Sequence, residues 1–307
     1  MKINIQNTLT ILSIGLFLIS FNANSEEMSK EIVACNDAVN KGDATAAIKL
    51  SETILKQNET DHEGFLCKGR ALSLQGKTKE ALDSFEKALS ATKDTFVHTV
   101  TYILMGNLHQ KNNKTAEAVN SYKKSLAICA KEGNQTYSRI NYNLIGDTYT
   151  KAGDLNAALD HYKLSVSIAN NDNERGDSYQ RLAKTYSALG DHNKAIEYQI
   201  KTVVMQKKAG TLTEYADASL TLGEYLVKVK NYSEAERTYA KLAKFGKDNG
   251  GAYYEARANF HLAETKAANG DKAMAKTLMT DSLSLANKIG AKGLASDIAA
   301  SRKKLDL

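Results

Sequence analysis

The sequence predicts an all-α solenoid of about seven helix pairs followed by a C-terminal capping helix. Three observations predict it. Small and large residues recur in one pattern every 34–40 residues, a turn centred on Gly or Asn sits at a fixed offset within most recurrences, and proline is absent from all 307 residues. A chain without proline disfavours a turn-rich all-β fold and suits helices joined by Gly, Asn and Asp turns.

The first element stands outside the solenoid. Met1 and Lys2 precede a 13-residue apolar run, Leu9–Phe21, and Ala23 and Ser25 fit the small-residue positions before a signal-peptidase cut. Residues 1–25 therefore read as a signal peptide, with the mature chain starting near Glu26. The run is short for a bilayer span, although an uncleaved anchor stays open. The first cysteine is Cys35, too far along for lipid attachment. A periplasmic or secreted location is expected, without stable membrane insertion after cleavage.

The array then occupies 26–289, in units of roughly 28–61, 62–98, 99–138, 139–175, 176–215, 216–255 and 256–289. The first keeps Ala34, Ala38 and Ala47, with Cys35 where a glycine is expected. The second holds Phe65, Gly69, Leu72, Ala81 and Phe85, and the third Tyr102, Met105, Gly106, His109, Ala118 and Tyr122. The fourth is the clearest: Tyr142, Ile145, Gly146, Tyr149, Ala158 and Tyr162. The fifth offers Tyr179, Leu182, Ala183, Tyr186, Ala195 and Tyr198, and the sixth Leu222, Gly223, Leu226, Ala235 and Tyr239. The last retains Leu262, Ala263, Ala275 and Met279. Residues 290–307 read as a capping helix with a basic, polar end. Degeneracy at both ends is what a stack predicts, because a terminal unit lacks one neighbour.

Packing explains the pattern. A small residue on the first helix of a pair (helix A) and an alanine on the second (helix B) let the two approach closely. Large side chains at i, i+3 and i+7 fill the space around them. Replacing Gly146 by leucine is expected to force its pair apart. Tyrosine suits the rim of such a core because its hydroxyl can reach water.

Between A and B lie Gly42-Asp43, Gly76-Lys77, Asn113-Lys114, Gly153-Asp154, Gly190-Asp191, Lys230-Asn231 and Gly270-Asp271. Gly or Asn supplies the left-handed residue that ends helix A. Thr45, Asn156, Asn193 and Ser233, with Thr78 and Thr115 one place earlier, are candidate N-caps for helix B. Lys230 is the exception, and a looser or shifted turn is expected there.

The alanine positions run 47, 81, 118, 158, 195, 235, 275, so successive gaps are 34, 37, 40, 37, 40 and 40 residues. These residues follow the tetratricopeptide (TPR) pattern W-x2-L-G-x2-Y…A-x3-F, whose plain repeat is 34 residues. The longer units resemble the extended TPR arrays of kinesin light chains and of bacterial Rap-type proteins. That resemblance covers about 30–290 and carries no family-specific binding motif.

The resemblance implies that A helices line a concave groove, with inward positions at fixed offsets from the Gly/Ala position. These place Asn107, Lys111, Asn143, Asp147, Lys151, Gln180, Arg181, Lys184 and Glu224 on the partner-binding surface. Asp177, Thr150, Ser187, Asp217, Thr221 and Lys228 accompany them. An amide such as Asn143 offers a peptide backbone both donor and acceptor, and Arg181 or Lys184 suits an acidic group. A chaperone-type carboxylate clamp is unsupported, because its positions hold Ile32 and Asn36, then Cys67, then Val100 and Leu104.

Other chemistries find little. The net charge of +6 comes from 41 basic and 35 acidic residues with no Lys/Arg block, so nucleic acid is not an expected partner. The six histidines are scattered, and no phosphate loop, metal motif or nucleophile elbow is present. No catalytic residue, metal or cofactor is expected. Cys35, Cys67 and Cys129 read as buried small side chains; a Cys35–Cys67 bridge is the alternative, and the register counts against it by putting the two at different faces of adjacent A helices. The function these features imply is a non-enzymatic exported scaffold or adaptor for a protein or extended peptide. The alternative is a ligand- or peptide-sensing regulatory module working with a separate output protein. Partner identity and oligomeric state are not written in the sequence.

Overall fold

A computed structural model describes residues 30–307, and the leader assigned to 1–25 lies outside the described residues. The chain forms α1 (Lys30–Asn40), α2 (Ala44–Gln57), α3 (His62–Leu74), α4 (Thr78–Ala91), α5 (Thr95–Lys111), α6 (Thr115–Lys131), α7 (Gln135–Ala152) and α8 (Leu155–Ser167). It continues with α9 (Asp172–Ala188), α10 (His192–Ala209), α11 (Leu212–Lys228), α12 (Tyr232–Asp248), α13 (Ala252–Ala268), α14 (Lys272–Lys288) and α15 (Lys292–Leu305). Odd-numbered helices up to α13 are the A helices, even-numbered ones the B helices, and α15 the cap. Two compact units divide between Ser84 and Phe85, inside α4. Within each, helices pack mainly on their chain neighbours, as in a stack of hairpins. Where the repeat gap is 37, helix A alone has lengthened: α5 and α9 have 17 residues, beside 14 and 13 for α4 and α8. Where it is 40, helix B has lengthened too, α6 to 17 and α10 to 18.

The A–B turns are tighter than the candidate caps implied. Asp43, Asp154, Asp191, Asn231 and Asp271 are the N-caps, each accepting from the backbone N–H three residues on. The residue directly after the left-handed one already carries the cap, which leaves Thr45, Asn156, Asn193 and Ser233 inside their helices. Lys230 does not shift its turn. It takes φ +60°, and its turn hydrogen bonds (Lys230 N to Val227 O, Asn231 N to Leu226 O) match those of Gly153, at φ +87°. A lysine there suffers a Cβ–carbonyl clash of about 1 kcal/mol. Lys230→Gly is therefore expected to raise stability by about 0.5–1 kcal/mol, read as a higher urea midpoint at unchanged slope.

In three repeats the core pairs an A-helix glycine with a B-helix tyrosine. A Cβ built at Gly106 or Gly146 would come within 2.7 Å of the Tyr122 or Tyr162 ring, and one at Gly223 within 2.6 Å of the Tyr239 hydroxyl oxygen. All three tyrosines are buried. Where the A position is Ala183, the B residue at the tyrosine's offset is Gln199, fully buried, with its Nε2 donating to Ala218 O on α11 at 2.8 Å. Tyr198, the sequence's candidate for that place, lies one residue off and packs instead on Tyr179 and Tyr186. The extra Cβ of Ala183 removes the room that a tyrosine ring needs.

Cys35 and Cys67 form a disulfide with Cα atoms 6.2 Å apart, against the sequence expectation. The register was right and the inference from it was wrong. Side-by-side helices touch through opposite flanks, so residues on different faces are the ones that meet. Cys129 is buried, and burial raises its thiol pKa.

The cap α15 is tied to α13 through Glu264, which accepts from Ser301 at 2.7 Å and pairs with His261 at 3.2 Å. Burial works against the Glu264 charge, but hydrogen bonds from His261 and Ser301 outweigh it, and its pKa is lowered. A depressed carboxylate contributes stability above its unfolded pKa and loses it as pH falls through the folded value. Acid titration below the usual glutamate range is expected to destabilise wild type more steeply than Glu264→Gln, followed by denaturant midpoints across pH.

Candidate functional site

Polar side chains of the A helices, several of them at the positions expected to face inward, form bonds between neighbouring repeats. On α5 and α7, Gln110 Nε2 donates to Thr148 Oγ1 at 2.8 Å, and Lys151 Nζ donates to the Gln110 carbonyl at 2.7 Å. Between α7 and α9 the network is denser. Arg139 Nη1 donates to Asp177 Oδ2 at 3.1 Å and its Nε lies 3.5 Å from Glu174. Asn143 Nδ2 donates to the same Asp177 oxygen at 3.0 Å, and Arg181 bridges Asp147 to Asp177. Between α11 and α13, Arg257 donates to Asp217 at 3.2 Å and the Tyr254 hydroxyl to Thr213 at 2.7 Å. In the N-terminal unit Arg70 donates to Asn36 and Asn40.

This lattice is rooted in the core. The Tyr122 hydroxyl donates to Asn107 Oδ1 and the Tyr162 hydroxyl to Asp147 Oδ1, both at 2.7 Å. A carboxylate only accepts, so the Tyr162 proton is committed to Asp147 and Thr150 must donate to the Tyr162 oxygen at 3.1 Å. Burial, and then the Asp147 charge, push the Tyr162 pKa upward, which keeps it a donor. Burial opposes the charge on Arg181, yet Asp177 and Asp147 outweigh it and raise its pKa. The hydroxyls reach the residue after the glycine rather than bulk water. Helix B thus sets the orientation of side chains displayed by helix A.

The nine residues singled out by sequence divide on this basis. Asn107, Asn143, Asp147, Lys151 and Arg181 are brought into the lattice. Asn143 is only 4% exposed, and its Oδ1 has no donor among the described residues. Lys111 is exposed at the end of α5. Gln180, Lys184 and Glu224 make no side-chain hydrogen bond or ion pair with the described residues, and Lys184 and Glu224 are exposed. Sequence reasoning missed Arg139, whose partners lie 35 and 38 residues away (Glu174, Asp177). It also missed the tyrosine hydroxyls as positioning groups.

A stack of helical hairpins with a polar A-helix surface is an architecture of protein-binding scaffolds and regulators. Residues 98–171 match the tetratricopeptide repeat family, and 67–95 and 176–202 match it as further single repeats. The chain is a tetratricopeptide repeat protein. Among solved structures it is similar to a signal-transduction ATPase with a tetratricopeptide repeat sensor from Pyrococcus horikoshii (TM-score 0.65, 18% identity, 87% of this chain). It spans only 44% of that protein. It is also similar to the apo form of RapI (TM-score 0.64, 13% identity, 90% of this chain and 85% of that one). A third likeness is aspartyl phosphate phosphatase F from Bacillus subtilis (TM-score 0.58, 11% identity, 92% and 82%). At these identities the likeness is one of fold. No curated protein matches the chain. No described helix is long and apolar enough to cross a membrane.

Proposed function

We propose that this protein is an exported, non-enzymatic scaffold that holds a protein or extended peptide against the inward surface of its A helices. The observation that carries the reading is the braced lattice. Bonds between neighbouring repeats and to core hydroxyls hold the A-helix surface in one shape, so little freedom is lost on binding, which removes part of the cost of association. Export is supported by the signal-like leader and by the disulfide between Cys35 and Cys67, a bond that persists in oxidising compartments.

Crosslinking and mass spectrometry in the native organism tests the binding surface. Lysines on A helices (Lys111, Lys151, Lys184, Lys228) are expected to carry partner crosslinks more often than Lys123, Lys163 or Lys241 on B helices. The reverse ranking would remove the A-helix surface from the reading. Cell fractionation tests export separately. The expected product begins near Glu26, outside the cytoplasm, with Cys35 and Cys67 resistant to alkylation until reduced. A cytoplasmic chain with both thiols reactive would end that part of the proposal.

A further inference from the structure

Polar inward positions on the A helices of the C-terminal unit are almost all engaged. Asn107, Gln110, Asn143, Asp147, Thr150, Lys151, Asp177, Arg181, Asp217 and Arg257 each have a side-chain partner described above. Ser187 meets the Tyr225 hydroxyl, Thr221 donates to the Asp217 carbonyl, and Glu264 binds His261 and Ser301. The exceptions are Gln180, Lys184, Glu224 and Lys228, and all four lie on α9 or α11. No inter-repeat ion pair joins these two helices among the described residues, whereas α7–α9 and α11–α13 each have at least one. The same two helices also leave apolar C-cap residues exposed, Leu189 at 42% and Val229 at 38%.

We infer that the partner's polar recognition is concentrated at this seam between α9 and α11. The occupant is an extended segment with an acidic side chain for Lys184 and a basic one for Glu224. The inference rests on the A-helix surface proposed above and specifies where on it, and with what chemistry, binding occurs. Electrostatics favour the choice. A charge with no partner gains one on binding, whereas engaging Arg181 or Asp147 first requires breaking a pair already made. Lys184 and Glu224 hold equivalent places, each one residue after the small position (Ala183 and Gly223). Their helices are therefore crossed in succession by any segment lying along the array. Both residues stand at fixed places on their helices, so the acid and base should recur at one fixed spacing along the segment. Lys228 lies one helical turn beyond Glu224 and adds a second contact for acid. Leu189 and Val229 offer an apolar side chain a place at the edge.

The test uses a random-peptide display library selected against the full chain. Peptides selected by wild type are expected to share an acid and a base at that spacing. They are expected to bind Lys184→Glu/Glu224→Lys about tenfold more weakly, as two reversed exposed pairs imply. The doubly reversed protein, panned afresh, should select peptides with acid and base in the opposite order. Lys123→Glu/Lys163→Glu, on B helices, should change affinity less than about threefold, and Lys111→Glu/Lys151→Glu probes the A-helix surface outside the seam. Unchanged circular dichroism checks that these exposed substitutions leave the fold intact. If affinity instead follows the Lys111/Lys151 pair and ignores the Lys184/Glu224 pair, the seam is wrong while the A-helix surface stands. If neither pair weakens the selected peptides, or no peptide is selected at all, both the seam and the surface are overturned.

Discussion

Breaking the Cys35–Cys67 bridge is expected to cost the N-terminal unit about 3–4 kcal/mol, the loop-closure value for a 32-residue separation. The position makes this large. Among the described residues the first hairpin packs on α3, and the crosslink adds to that packing by restricting its unfolded chain. It holds α1 directly to α3 at a place where both sulfurs are buried. Cys35→Ala/Cys67→Ala should therefore speed amide exchange throughout residues 30–84 and lower the first urea transition. Reduction of the unmutated protein isolates the crosslink from the small cavities that alanine leaves. Exchange in 30–84 that is the same with and without the bridge would show that packing alone holds the first hairpin.

The same bridge shows what a sequence of this kind reveals and what it hides. The repeat was legible because its small positions, large positions and turns each recur and each has a local cause. Gly146 must be small, Tyr149 must be large, and Gly153 must turn. Whether Cys35 meets Cys67 is set by how one A helix lies against the next, and periodicity along a single helix does not carry that. The bonds between repeats were hidden for the same reason. The offsets implied by the resemblance singled out Asn143, Asp147 and Arg181, but their partners depend on the stagger between α7 and α9. Offsets of 34 and 38 residues, Arg181 to Asp147 and Asp177 to Arg139, coexist between one pair of helices. The Tyr198 assignment failed for a further reason. The alanine-to-aromatic offset is four in its neighbours (Ala158 to Tyr162, Ala235 to Tyr239) and three for Ala195 to Tyr198. Holding that offset strictly would have pointed to Gln199.

The same pairing of a small A residue with a facing B residue makes Gly146 the site of the second large expected effect. Gly146→Ala should destabilise the protein by about 1–3 kcal/mol even though alanine is the better helix former by about 1 kcal/mol. The added methyl meets the Tyr162 ring rather than the tip of a flexible chain. The ring has nowhere to go, because it is buried and its hydroxyl is held by Asp147 and Thr150. A displaced ring also loosens Asp147, and through it Arg181, so the damage should extend from the core to the displayed surface. The fifth repeat supplies the remedy in its own pair, Ala183 with Gln199. Tyr162→Gln alone should cost about 2–4 kcal/mol through the cavity it opens. Added to Gly146→Ala, it should cost at least about 1 kcal/mol less than the sum of the two single changes, since each relieves what the other introduces. The control is Gly293, in the exposed first turn of α15, where an added methyl would have no neighbouring atom within 4 Å. There the same Gly→Ala change should stabilise by about 0.5–1 kcal/mol. Strict additivity at 146 and 162, or a gain in stability from Gly146→Ala like that at Gly293, would show that the glycine is not there to admit the tyrosine.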